Sequence, residues 1–323
     1  MQDRIIQAIV VLVGVPAVLV GYIALIEWLL RFLPDKTRPK VRPWLWLAPA
    51  LAFLAIFLVY PALNTMLLSF QNKDSSKFVG LDNYGYAFTS HDFLIALRNN
   101  GLWIVFFTLF AVTTGLLIAV LADRVPYESA AKAMIFLPGA ISFVAAGVIW
   151  KFMYDYRPPG TPQTGTVNAV ITAFGGQPQA LLLNRATNNP ALIFVAVWMS
   201  VGFCMVILSA GLKGIPLELV EAARIDGASE LQAFRAVTLP LLAPTIAVVA
   251  TTIVISALKA FDVVYIMTNG AFDTDVIANQ MYKQLFNVRD FGRASAIAVI
   301  LLAAIIPIMI LNIRRFREQE AIR

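Results

Sequence analysis

Long uncharged apolar runs, separated by shorter polar stretches, dominate the pattern of this 323-residue chain. Seven of them approach the ~20 residues that cross a ~30 Å hydrocarbon core as a helix. They span 5–30, 45–68, 100–122, 132–153, 190–212, 243–265 and 293–312. The first is longer than the ~7–15-residue core of a signal peptide, and no A-x-A-like site follows before Arg31, so it reads as a retained anchor. A segment of another character, EAARIDGASELQAFRAVTLPLL (221–242), separates the fifth and sixth runs. Pro216 can start a helix there, since position N1 needs no backbone donor, and Leu217, Val220, Ala223 and Arg224 follow at helical spacing. Asp226-Gly227 stops that helix, glycine being suited to the left-handed turn beyond a helix end. Ser229 is the N-cap of a second helix through Leu231, Phe234 and Val237. Pro240 and Pro244 mark its handover to the sixth run. The pattern thus predicts two short helices joined by a tight turn. TGTVNAVITAFG (164–175), apolar at Val167, Val170, Ile171 and Phe174, predicts a short surface helix ended by Gly175 and Gly176.

Composition turns these runs into membrane spans. The chain is 59% hydrophobic and 14% charged, whereas soluble domains carry about 25% charge. The expected fold class is an all-α integral membrane protein. A single cysteine, Cys204, excludes an internal disulfide or a CxxC metal site, and the lone His91 lies in a polar loop. The net charge of +6 reads as basic loops held on the cytoplasmic side rather than as a nucleic-acid surface. Lys36, Arg38, Lys40 and Arg42 crowd the 34–44 linker, and Arg314, Arg315, Arg317 and Arg323 the C-terminal tail. Seven crossings then place the N-terminus, where Asp3 offsets Arg4, outside. Segments 123–131 and 213–242 fall inside, and 69–99, 154–189 and 266–292 outside. Trp44 and Trp46 suit an interfacial belt.

The polar segment has three readings. A DNA-binding helix-turn-helix shares its grammar, but the second helix offers a groove only Gln232 and Arg235. It can be an amphipathic loop packed on its own bundle. It can also be a docking element, with Ala222, Ala223 and Ala228 admitting a partner, Glu221 fixing orientation and Gly227 setting the elbow. Polar groups inside a membrane are costly and usually face a cavity. Thr252, Ser256 and Lys259 recur at helical spacing in the sixth run, with Asp262 three residues beyond Lys259 and able to meet it. A substrate path and a structural ion pair with Lys259 snorkelling outward both fit.

The motif Glu221-Ala222-Ala223, then Asp226-Gly227-Ala228 and the later Val237 and Leu239-Pro240 closely resembles the cytoplasmic EAA loop of bacterial ATP-binding-cassette importer permeases. The run from Pro49 to Phe70 with FVGLDNYGYAF (78–88) resembles the first core span and outer loop of maltose-type carbohydrate permeases. FDVVYIMTNG (261–270) resembles the end of their fifth core span, and the overall wording is similar to α-glucoside permeases. The resemblance implies a six-helix permease core over 45–318 with a coupling loop at 213–242. An added anchor at 1–44 and a cytoplasmic tail at 319–323 flank that core. It further implies a plasma (inner) membrane protein that moves a sugar or glycoside by alternating access.

The chain contains no G-x-x-x-x-G-K-[ST] phosphate cradle. It is therefore expected to be no enzyme and to hold no cofactor, ATP and Mg being bound by a separate ATPase dimer. The implied further partners are a second permease subunit and an extracytoplasmic solute-binding protein received on the outer loops, including ANQMYKQLF (278–286) and RDFGRAS (289–295). Sugar contacts are implied at Ser256–Phe261 and, from the preceding span, at Trp198, Met199, Ser200 and Phe203, with packing the other role for the aromatics. The class carries asparagines where this chain reads SALKAF, which implies a different cargo. An ion-coupled secondary transporter is the alternative, but it favours broken helices with acidic ion sites and an inverted repeat. Here Asp262 is the one acid in the six runs from 45 onward, and no internal repeat stands out.

Overall fold

The computed structural model describes residues 2–123 and 125–321, and their side chains except at 2–6, 8, 9, 15 and 311–321. The basic tail at Arg314, Arg315, Arg317 and Arg323, the 319–323 tail segment and the Asp3–Arg4 pair therefore lie outside the described side chains. The described chain is helical, with one isolated antiparallel bridge between Gln71 and Phe78. By internal contacts it divides into two compact units, 1–64 and 65–323.

The first unit holds α1 (Gln2–Leu30) and most of α2 (Arg38–Leu68). The basic linker expected over 34–44 is largely absent, because helix begins at Arg38. Pro39 sits in its first turn, where its missing N–H costs nothing. Arg42 pairs with Glu27 at 2.5 Å, joining the two helices. No residue of α2 is buried. A wider π-type turn at Ala55–Val59 precedes Pro61, which cannot donate to the carbonyl four residues back.

The second unit comprises α3 (Asp82–Thr89), α4 (His91–Ala122), α5 (Glu128–Ala140), α6 (Phe143–Met153), α7 (Thr166–Ala173) and α8 (Asn188–Lys213). It continues with α9 (Leu217–Ile225), α10 (Glu230–Leu258), α11 (Asp262–Met267), α12 (Ile277–Tyr282) and α13 (Phe291–Ala321). Its core centres on α8, most of whose inward side chains are buried. The most extensive packing is of α8 on the lower half of α4. Small residues allow it: Ala111, Gly115 and Ala119 form a buried stripe, and a Cβ on Gly115 would stand 2.5 Å from that of Cys204. Close backbone approach between small residues is how helices associate in lipid, where no hydrophobic force separates helix from solvent.

Six helices among the described residues are long and apolar enough to cross a membrane, or seven if the bent pair α5–α6 is one span. That pair corrects the single 132–153 helix expected from the apolar run. The chain turns by 95° between α5 and α6. Pro138 and Gly139 tighten the last turn of α5, Ile141 is extended, and the Ser142 hydroxyl caps α6 by accepting from the Ala145 N–H. His91 is not in a loop but opens α4. The surface helix predicted at 164–175 is present as α7, followed by Gly175 at φ +80°.

Candidate functional site

The polar segment forms an exposed elbow. Pro216 stands at the N-cap of α9 rather than inside its first turn. Glu221 and Ala222 on α9 are exposed, Ala223 and Ala228 are half-buried, and Asp226 and Gly227 lie exposed at the turn. Gly227 has φ +87°, the left-handed conformation that its missing Cβ permits. The N–H groups of Gly227 and Ala228 close the turn onto the carbonyls of Arg224 and Ala223, both at 3.0 Å. Ser229 and Gln232 form a full capping box, each side chain bonding the other's backbone N–H. Across the elbow, the Arg224 guanidinium donates twice to Glu230, at 2.8 and 3.1 Å.

Two expectations change here. The second helix is not short. It runs without interruption from Glu230 to Leu258, through a π-type turn at Phe234–Thr238 just before Leu239 and Pro240. The wider turn accommodates the donor that Pro240 lacks. Of the residues at helical spacing, Val220 and Ala223 are half-buried while Leu217 is 61% exposed. Ile225 is 86% exposed, and Leu219 and Leu231 are also open, so the two helices of the elbow leave four large apolar side chains uncovered.

Beside the elbow the C-terminal ends of α4 and α8 and the start of α5 are tied together by charge. The Lys132 ammonium donates to Asp123 and Glu128, each at 2.5 Å, and to the Ser209 hydroxyl, while Lys213 also reaches Glu128. Sequence reading passed over this hub, because bonded members lie as far as 86 residues apart, Asp123 to Ser209.

The candidate substrate path lies at the far end of α10. Thr252 and Ser256 turn their hydroxyls back onto the carbonyls of Val248 and Thr252. Ser256 and Lys259 are exposed and Asp262 is half-buried. The expected Lys259–Asp262 pair does not form among the described ion pairs. The sixth span, expected to reach 265, ends at Leu258, and α11 restarts at Asp262 after a Phe261 with φ −146° and ψ −62°. Three residues apart is a shared face only inside one helix. On α8, Met199 is buried, Ser200 half-buried and Phe203 38% exposed, while Trp198 packs edge-on against Trp150 at 5.5 Å. Among the described side chains, no hydrogen bond, ion pair or ring contact joins Trp198 or Phe203 to the end of α10.

Two Asn-Asn doublets that sequence reading left at loop edges explain the break. The Asn100 side chain donates to the carbonyls of Ala257 and Leu258, the last of α10, and accepts from the Ile277 N–H at 2.8 Å. Asn99 donates to the carbonyls of Asp273 and Asp275, and Asn188 to that of Phe272. Buried Asp275 in turn accepts from Asn279, Gln280 and Lys283 at 2.6–2.7 Å. The 266–292 segment is thus folded, with a buried run at 274–280 and exposed residues at 271–272 and 286–289. Beside it Phe261, Tyr265, Tyr282 and Phe286 form an aromatic cluster with ring centroids 4.7–5.4 Å apart. The Tyr282 phenol is held above its ordinary pKa by its hydrogen bond to Tyr265 and stays neutral.

Comparison with known proteins agrees with this architecture. Residues 104–314 match the family model described as "Binding-protein-dependent transport system inner membrane component". The osmoprotective compounds uptake permease protein GgtC of Synechocystis is 54% identical over 86% of this chain and 100% of its own length. The alpha-glucoside transport system permease protein AglF of Rhizobium meliloti is 46% identical over 87% of this chain and 84% of its own. Among solved structures, a chain of a bacterial ABC transporter involved in the import of the acidic polysaccharide alginate superposes with a TM-score of 0.74 at 25% identity. That match covers 88% of this chain and 99% of the other. With the family model spanning most of the chain and a relative matched over its full length, this chain belongs to the binding-protein-dependent transport system inner membrane components.

Proposed function

We propose that this protein is the permease subunit of an ATP-binding-cassette importer that carries an α-glucoside or a related glucosylated compatible solute into the cell. Membership of the family and the likeness to GgtC and AglF support the class of cargo. The exposed elbow at 216–231 carries the coupling assignment. In this reading a separate ATPase dimer, which binds ATP and Mg, grips Glu221, Ala222, Ala223, Asp226, Gly227 and Ala228 and covers Leu217, Ile225 and Leu231. A second permease subunit completes the membrane pathway, and a solute-binding protein delivers cargo to the opposite face. The bent α5–α6 pair counts as one crossing, giving seven spans with the N-terminus outside and the C-terminus cytoplasmic. Residues 1–44 are an anchor added to the 45–318 core.

The lever is α10. Its 29 residues run from the elbow to Lys259, about 43 Å at ~1.5 Å per residue. The Leu239-Pro240 step sits within it, and Thr252, Ser256, Lys259 and Asp262 at its far end, with Ser200 and Phe203 on α8, are the proposed substrate path, whereas Trp198 packs on Trp150 and lines a separate apolar groove. Closure of the ATPase pair displaces the elbow, and a stiff rod transmits the displacement because its backbone hydrogen bonds are internal. Differential contact of the ATPase with the two arrangements is what shifts the population between inward- and outward-facing states. Uptake of a labelled α-glucoside into proteoliposomes tests the proposal. It should require ATP, the ATPase and the binding protein together. Uptake driven by an ion gradient alone would overturn it in favour of secondary transport.

A further inference from the structure

A groove of about 1070 Å³ runs between α4, α5 and α8, at the upper end of the ~300–1,000 Å³ usual for ligand sites. On α4 its wall is every fourth residue from Arg98 to Ile118, a single straight ridge. The wall is apolar and aromatic along most of its length, with Phe106 and Phe110 facing Phe194 and Trp198. One end is different. Arg98, Arg185 and Asn189 line it together.

That end is charged and incompletely satisfied. The Arg98 guanidinium bonds only the Asn99 amide oxygen, at 3.0 and 3.3 Å, and meets no carboxylate among the described ion pairs. Arg185 shares Asp273 at 2.8 Å and is 75% exposed, so the pair of arginines keeps a net positive charge. Asn189 is 5% exposed and gives its amide hydrogen to Asn99. From Asn189 to Val201 the α8 wall runs twelve residues, about 18 Å, against ~15 Å for one leaflet of a ~30 Å hydrocarbon core.

We infer that this groove is a binding site for one anionic glycerophospholipid. Its phosphate sits between Arg98 and Arg185, and an acyl chain lies along Phe106, Phe110, Phe194 and Trp198. The wall excludes a sugar, whose hydroxyls would be desolvated against aliphatic and aromatic carbon with Thr114 as the one hydroxyl beside them. An apolar helix from a partner subunit would fill the length but leave the arginine charge unanswered. A lipid answers the apolar wall and the charged end at once, and the inference holds whatever cargo the permease carries.

The test uses the protein purified from native membranes with the subunits that accompany it, exchanged into nanodiscs of phosphatidylglycerol and phosphatidylcholine. Phosphatidylglycerol carries a net negative charge for the arginine pair, whereas phosphatidylcholine is zwitterionic. Native mass spectrometry should show phosphatidylglycerol retained in preference to phosphatidylcholine. The Arg98→Gln/Arg185→Gln variant should lose it by roughly tenfold or more, since a charge-assisted bond contributes ~1.5–3 kcal/mol. Equal retention in that variant overturns the site. A photo-crosslinking side chain at Phe106, in the otherwise native protein, reads the occupant directly and does not depend on the variant folding. Adducts to lipid support the inference; adducts to a second permease chain overturn it.

Discussion

Around Gly227, no heavy atom lies within 4 Å of where a Cβ would stand, so only the backbone conformation forbids a side chain there. This separates two explanations of any loss at that position. Left-handed backbone costs ~1–2 kcal/mol for an ordinary residue, while Asp tolerates it better than Ala. If strain dominated, Gly227→Ala would be worse than Gly227→Asp. If the elbow is seated in an ATPase, the charged, bulkier Asp is worse. The expected order is near-complete loss of uptake and of ATPase retention on washed membranes for Asp, and partial loss for Ala, with both inserted. The reverse order would remove the docking assignment. Lys259 permits a similar separation. It is exposed, ends α10 and has no carboxylate partner among the described ion pairs. Lys259→Ala is expected to raise the half-saturating substrate concentration several-fold with ATPase retention unchanged. Unaltered uptake kinetics would mean that this lysine merely reaches for the membrane surface.

At the scale of elements, the break between α10 and α11 depends on one side chain from α4. Asn100 satisfies two carbonyls that a helix end leaves orphaned and one N–H of the returning chain. Each buried group left unpaired costs ~1–3 kcal/mol. Asn100→Ala should therefore lower the thermal midpoint in detergent, and Asn100→Asp should lower it further, because a carboxylate turns lone pairs toward two carbonyl oxygens. A midpoint for Asn100→Asp at or above that of Asn100→Ala would show that these donors do not hold the break. The elbow was legible in the sequence because its signals are local: Gly227 for the turn and Ser229 for the cap, to which the structure adds Gln232. The continuity of α10 was not, because Pro240 and Pro244 read as a boundary, while the π-type turn at Phe234–Thr238 carries the helix past Pro240.

At the scale of the whole molecule, the proposed seven-span orientation can be read with a single reagent. Cys204 is fully buried, so the native chain should stay unlabelled by a membrane-impermeant maleimide. Phe174, 90% exposed beyond α7, falls outside in that scheme, and Ala222 on the elbow falls inside. Phe174→Cys should label in intact cells and Ala222→Cys only after permeabilisation. The opposite pattern would invert the topology. The close packing of α4 on α8 at Gly115 also explains why Cys204 is inaccessible, since the two backbones meet there without intervening side chains.

The sequence by itself determined the membrane class, the helical content, the elbow and its cap, because hydrophobic run length, glycine and capping chemistry act within a few residues along the chain. Only the tertiary structure decided which apolar side chains of the elbow face outward, where the sixth span stops, and that Lys259 and Asp262 part company. It also decided that Asp123, Lys132 and Ser209 meet at one hub and that Arg98, Arg185 and Asn189 share one groove mouth. Those outcomes depend on partners about 80 to 180 residues distant, and no local rule of spacing encodes which of them will arrive.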